Sequence, residues 1–413
     1  MSKVQKKKLI IDFILNIIAT ALPIFVIQLC LLPLVNKYSP NEYGLIITYV
    51  SLFTVISQPI GGTLDNIKLL AYKNYNDIEE KGDFNRYIIY FSILDIVLIV
   101  AGYIIISKSI SILGLLLIII ISLLNFTRNY LGAFFRITLN YCNILVSNIL
   151  LTVGYVVGYF IYRATGYWEF IYLIGNLFSF VFILIKTKPY KEGLKKSKFF
   201  KTNLTSTIIL LIASFFLSLT NYVDKLILYP MLGSAVVAVY YASTIFGKII
   251  NQFLGPVNSV ILSYLAKSEK VKKSTFIKYL LATFGIAVVG FAFCMLISDF
   301  MLGLLYPNLK VDAMKFVPIA TVTAMVNMVV MAISPFVLRF KKITWQLVIN
   351  IASTVLYLGL SLGFYFWLGL IGFYIGILVS YIAKVIILVS IFMIEKPKKD
   401  LGIDNMGISK SNY

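Results

Sequence analysis

The residues best placed to do chemistry in this chain are charged side chains inside long apolar runs. Each costs about 2.5–3.5 kcal/mol at the centre of a membrane-spanning helix, so it persists where it meets water, an opposite charge or a ligand. Lys248 stands out. It lies near the middle of its run on a stripe of Tyr241, Thr244, Lys248, Asn251, Gly255 and Asn258, spaced three or four apart and so on one helical face. Such a face is built to look into a wet cavity and meet an anion. The competing reading is a lysine that snorkels or pairs between helices.

Three further cations fit the same chemistry. Lys225 follows Ser214, Ser218 and Asn221 at helical spacing with Asp224 beside it, and reads equally as a ligand or a snorkelling lysine. Lys384 is deep for an interfacial lysine, and Arg128, with Arg136, sits at the end of an apolar run where topology alone also explains it. Uncharged partners recur nearby: Thr54 and Gln58; Gln252, which an offset of 194 residues sets on Gln58; Gln346 and Asn350; Asn16, Thr20 and Pro23. These side chains hydrogen-bond a polar substrate or join helices. Among the acids Asp12, Asp65, Asp95 and Asp224, a short carboxylate cannot reach water as lysine does. Asp95, Asp224 and Asp12 are therefore candidates for ion coupling, with a salt bridge to a neighbouring helix as the alternative.

The elements carrying these residues are twelve apolar runs, at 9–35, 44–67, 87–107, 109–135, 141–162, 167–186, 204–230, 235–265, 277–306, 314–338, 344–367 and 369–394, each long enough to cross about 30 Å of hydrocarbon. A chain of 413 residues that is 60% hydrophobic and 13% charged lacks the polar surface a soluble globule of its size needs. The expected fold is an all-α polytopic membrane protein. Lys and Arg crowd into alternate gaps, including Lys3 to Lys8, Lys68 to Arg86, Lys186 to Lys201, Lys267 to Lys278 and Lys396 to Lys410, which places both termini in the cytoplasm. The net charge of +20 sits in these short loops, where topology and anionic headgroups account for it without nucleic acid.

A long basic stretch between runs, with Pro189 and Gly193, divides the chain into a six-helix lobe at 1–186, a linker at 187–203, a second six-helix lobe at 204–394 and a cytoplasmic tail at 395–413. Ile56-Ser-Gln-Pro-Ile-Gly61 and Ile250-Asn-Gln-Phe-Leu-Gly255 are the clearest match between lobes, as expected for parallel repeats flanking a substrate path. Cys30, Cys142 and Cys294 lack ligand spacing, the chain has no histidine, and no glycine-rich phosphate loop is present. Neither metal nor cofactor is expected. Without a nucleophile–histidine arrangement, an intramembrane polymerase or glycosyltransferase is the weaker class.

Two segments resemble a known family. Tyr38-Ser-Pro-Asn-Glu-Tyr-Gly44 after the first run, and Asn221-Tyr-Val-Asp-Lys-Leu-Ile-Leu228 followed by Leu232-Gly233 and Ala238-Val-Tyr240, are similar to the polysaccharide flippases of the multidrug/oligosaccharidyl-lipid/polysaccharide exporter superfamily. Ala238 stands where that family usually has glycine. The resemblance implies two lobes that move an undecaprenyl-diphosphate-linked oligosaccharide across the bacterial plasma membrane by alternating access, with glycan polymerase and glycosyltransferases as further partners. Lys248, Lys225, Lys384 or Arg128 would then pair the diphosphate. The rival within the superfamily is an ion-coupled drug or organic-cation antiporter, which should hold an unpaired carboxylate at mid-cavity. The orientation is testable by itself: single cysteines near Ser109 or Gly233 are expected to react with an impermeant thiol reagent added to sealed cells, and labelling near Lys195 would overturn the assignment.

Overall fold

The computed structural model describes residues 3–71, 82–107, 111–245, 247, 271–341 and 344–394, apart from the side chains of 3–13, 338, 339, 344 and 346. All regular structure among the described residues is helical. Helix α1 runs Lys3–Phe25, a π-helical turn Val26–Leu31, then Leu32–Tyr38. The turn has a local cause. Pro23 has no N–H for the carbonyl one turn back, and just beyond it the ladder widens until Leu32 N–H bonds Ile27, five residues behind. There follow α2 Pro40–Ala71, α3 Gly82–Ile106, α4 Ile112–Ile137, α5 Tyr141–Thr165, α6 Glu169–Thr187, α7 Phe200–Leu232, α8 Ser234–Ile245, α9 Lys273–Leu305 and α10 Val317–Phe340. The last helical stretch, Thr344–Ile394, breaks at Gly369 (φ 62°) into α11 (344–368) and α12 (370–394). Ten helices among the described residues are long and apolar enough to cross a membrane, the last of them this folded pair. The chain is an all-helical, multi-pass membrane protein.

Packing groups the residues into two compact units, Met1–Ser243 with Asp299–Met314, and Thr244–Ser298 with Lys315–Tyr413. In the first, α2 is central, with buried residues from Tyr43 to Ala71. The Tyr-Ser-Pro-Asn-Glu-Tyr-Gly segment is the entry to this helix. Ser39 Oγ accepts from the Glu42 N–H, Pro40 takes the first helical position, and the Glu42 carboxylate accepts from Tyr162 of α5 at 2.8 Å. Tyr43 is fully buried against the rings of Tyr241 and Tyr306, and Gly44 lies so close to α8 that a Cβ there would overlap the Ser234 carbonyl.

Close backbone approach also joins the hairpins. In lipid, helices associate through packing and small residues rather than through apolar burial. Gly154 and Gly158 of α5 face α6, where a Cβ on Gly154 would stand 2.6 Å from Gly175 Cα. In the second unit Gly372 and Gly376 of α12 press on the backbone of Phe364 and Leu360 in α11. That unit's core is aromatic: Phe276 stacks on Phe392 at 4.0 Å and meets Phe336 edge-on. Its outer faces carry the apolar groups a bilayer receives, including Leu296, Phe366 and Trp367, each more than three-quarters exposed.

The basic segment after α6 is strapped to the first unit. Lys188, in the left-handed region, ends α6 before Pro189. Glu192 then accepts from the buried Lys68 ammonium at 2.9 Å, and Lys68 also bonds Tyr130 Oη at 2.8 Å. The first turn of α3 holds the rest: Asn85 donates to the carbonyls of Pro189 and Gly193, and Asp83 accepts from the Ser197 N–H and Oγ. The Gly44 contact yields a test of the packing. Gly44→Val should destabilise the purified protein by the cost of overpacking, about 1–3 kcal/mol or more, and lower its thermal midpoint, whereas Gly62→Ala, inside the same helix with nothing within 4 Å of the added carbon, should not lower it.

Candidate functional site

Within the first unit five helices line an open cavity of about 420 Å³ with polar and apolar walls. Helix α1 contributes Asn16, Thr20 and Pro23; α2 contributes Gln58 and Asp65; α4 contributes Arg128, Asn129, Gly132 and Arg136; α5 contributes Ser147, Asn148 and Tyr155. Helical spacing explains each set, since residues three, four or seven apart share a face. The wide turn after Pro23 lies in the α1 wall, where Ile24 and Ile27 continue the lining.

Arg128 is the cation at the centre of this arrangement. One terminal nitrogen donates to Asn125 Oδ1 at 3.3 Å, while its buried Nε has no partner among the described residues. An unsatisfied buried donor costs about 1–3 kcal/mol, more when charged. A guanidinium offers five donors in a planar fork that matches carboxylate or phosphate oxygens. The arrangement therefore suits an anionic group entering the cavity. Asp65, the carboxylate in the lining among the described residues, is ion-paired to Arg136, and Tyr222 donates to Gln58 at 3.4 Å.

The remaining expected residues are distributed as follows. Lys248, Asn251, Gln252 and Asn258 lie outside the described residues, as do the side chains of Asp12 and Gln346. Lys225 is 2% exposed and does not line the cavity: its ammonium donates to Asp224 at 2.6 Å and to the Asn221 carbonyl at 3.0 Å. Asp224 also accepts from Tyr240 at 2.7 Å, so lysine, aspartate and tyrosine form one buried network joining α7 to α8. The neighbouring Asn221 side chain is exposed. Thr54 donates back to the Val50 carbonyl of its own helix and is not in the lining. Asp95 of α3 is fully buried, with one oxygen accepting from Ser122 of α4 at 2.8 Å and the other without a partner; no cation pairs with it among the described residues. In the second unit Lys384 is 7% exposed and has no ion-pair partner among the described residues; Asn350 is buried, and Thr244 half-buried.

Asn129, Ser147, Asn148 and Tyr155 of the lining were not singled out in the sequence. Ser147 and Asn148 are adjacent polar residues inside the apolar run of α5, four and three residues from Leu151, and that adjacency is the signal that marks them.

No protein-family model matches this sequence, and no curated protein matches it significantly. Solved structures do match over nearly the whole chain. The lipid II flippase MurJ in an inward closed conformation superposes with a TM-score of 0.67 at 13% identity, covering 96% of this chain and 88% of that one. The eukaryotic MATE transporter AtDTX14 gives 0.61 at 14% identity, covering 94% of this chain and 95% of that one. An outward-facing multidrug resistance MATE family transporter of the MOP superfamily gives 0.55 at 17% identity, covering 94% of each chain. The fold is that of the MATE and MurJ transporters. These neighbours are transporters or flippases, not enzymes.

The α7–α8 network carries a stability prediction. Lys225→Met removes the cation that donates to the buried Asp224 and should destabilise the protein by up to about 3–5 kcal/mol. Lys225→Met with Asp224→Asn should recover much of that loss. An unchanged thermal midpoint in the single variant would show that the pair does not hold α7 to α8.

Proposed function

We propose that the chain is a flippase that carries an undecaprenyl-diphosphate-linked oligosaccharide repeat unit across the bacterial plasma membrane by alternating access, for surface glycan synthesis. The observation that carries this reading is Arg128, a guanidinium with an unpartnered buried nitrogen in a cavity lined by Asn16, Gln58, Asn129 and Asn148. A diphosphate leaving water needs fixed cations, and a sugar needs amide and hydroxyl partners; this lining supplies both. The two lobes would be 1–186 and 204–394, with both termini cytoplasmic, the polyprenyl tail remaining in lipid, and the glycan polymerase and glycosyltransferases acting on either side of the step.

A drug or organic-cation antiporter of the same fold is the second reading. It calls for a free carboxylate at mid-cavity, and among the described residues the carboxylate in this lining, Asp65, is paired with Arg136. Asp95, away from the cavity and half-satisfied by Ser122, is the proposed ion-coupling group, and the cations of the second lobe, Lys248 and Lys384, would receive the diphosphate on the other half of its path. In proteoliposomes, the protein should flip a fluorescent polyprenyl-diphosphate oligosaccharide. Arg128→Gln should slow flipping about 10- to 100-fold, the worth of a charge-assisted hydrogen bond of about 1.5–3 kcal/mol, with the folded protein retained. Efflux of an organic cation without any glycolipid flipping would decide for the antiporter.

A further inference from the structure

Arg136, which loop charge alone would explain, lines the same cavity as Arg128 together with its counter-ion. Arg128, Gly132 and Arg136 are four residues apart along the end of α4, where Ile112–Leu131 gives way at Gly132 to the short turn Ala133–Ile137. Gly132 puts no side chain between the two guanidinium groups: within 4 Å, a Cβ there would meet just the carbonyls of its own preceding turn, Asn129 at 3.1 Å and Arg128 at 3.6 Å.

The pair Arg136–Asp65 is lopsided. The Arg136 side chain is 41% exposed and the Asp65 side chain 12%. One nitrogen of Arg136 contacts one oxygen of Asp65, and that nitrogen reaches Asn66 Oδ1 at 3.5 Å. The other Asp65 oxygen is buried and has no partner among the described residues. A forked guanidinium can engage two oxygens at once, so this contact realises half of what the group offers. A diphosphate brings more charge and more acceptor oxygens than a carboxylate held through one.

Building on the flippase reading, we propose that Arg128 and Arg136, straddling Gly132, form the diphosphate site of the first unit, and that Asp65 is a resident counter-ion which the diphosphate displaces from Arg136. This arrangement answers a requirement of alternating access. An empty carrier has to reorient as well as a loaded one, and two unpaired cations in a cavity that closes away from water oppose that step. Asp65 neutralises one of them whenever the substrate is gone. It also sets a threshold: a monovalent anion does not outcompete it, while a diphosphate does. Arg128 and Arg136 contact the ligand in this scheme, and Asp65 acts through Arg136.

The test measures binding of undecaprenyl diphosphate to the full-length protein in nanodiscs, and flipping in proteoliposomes, side by side. Asp65→Asn should bind the lipid about tenfold tighter yet turn over more slowly, because the empty cavity now keeps both charges. Arg136→Gln should bind about tenfold more weakly, and adding Asp65→Asn in that background should change binding no further. If Asp65→Asn does not yield folded protein, Asp65→Ser is read by the same two comparisons. Should Arg128→Gln weaken binding while the Asp65 and Arg136 variants bind like wild type, the counter-ion proposal is wrong and the flippase reading stands. Failure of the wild type to bind undecaprenyl diphosphate defeats both. Inorganic pyrophosphate, offered in parallel, should bind far more weakly; equal affinity would mean that the site recognises free diphosphate and would overturn the lipid-linked assignment.

Discussion

A polar group that has left water must find a partner inside the bundle, and this requirement organises the first unit. Hydrocarbon offers no hydrogen bonds, so every ionisable side chain away from the ends becomes a constraint on which helices touch. Asp224, Lys225 and Tyr240 satisfy one another and thereby fix α7 against α8. Lys68, Tyr130 and Glu192 do the same for α2, α4 and the segment after α6, while Asp65 and Arg136 join α2 to the end of α4. Against this background, groups left incomplete are conspicuous. Among the described residues Arg128, which lines the cavity, lacks a partner for a buried nitrogen, and Asp95, which does not line it, lacks one for an oxygen.

The same bundle is held by a second kind of contact that uses no polar group. With lipid on the outside as apolar as leucine, helices gain little by hiding aliphatic side chains from one another, and backbone proximity matters more. Gly154 and Gly158 let α5 lie against α6, and Gly372 and Gly376 let α12 lie against α11. The α5–α6 and α11–α12 hairpins are thus each closed by a pair of glycines one turn apart. Gly44 does similar service where α2 meets α8, and it sits directly after the capped turn that begins α2. The cavity exists because such contacts occupy other faces of α2 and α5, leaving Gln58, Ser147 and Asn148 on the faces that do not close.

Electrostatics and architecture meet at α4. Its end carries Arg128 and Arg136 on one face, and Gly132 between them keeps that face open. The basic segment after α6 is drawn to the first unit by Lys68 and by the first turn of α3, so Glu192, the acid among its lysines, is turned inward while those lysines stay exposed. Charge in this protein therefore has two settings. Lysines at the ends face water or headgroups, and arginines of α4 face the cavity.

Sequence alone determined the class of the protein, the approximate limits of its helices and the break between α11 and α12, because all three follow from the length and polarity that hydrocarbon imposes along a chain. It also offered Arg128, Gln58, Asn16 and Thr20 as candidates, with topology or helix joining as the alternative, since a polar stripe at helical spacing is a local property. Which stripes face one another is not local. The spacing around Lys225 was as regular as that around Gln58, yet Lys225 is closed off by Asp224, its own neighbour in sequence, because α8 brings Tyr240 over the pair. Topology alone was one of two explanations of Arg136 in the sequence, and its pairing with Asp65, 71 residues away, belongs to the folded bundle. Pairing between helices depends on their rotation and on the glycines that set their approach, and that information exists in the assembled bundle, where each side chain competes for the same few partners.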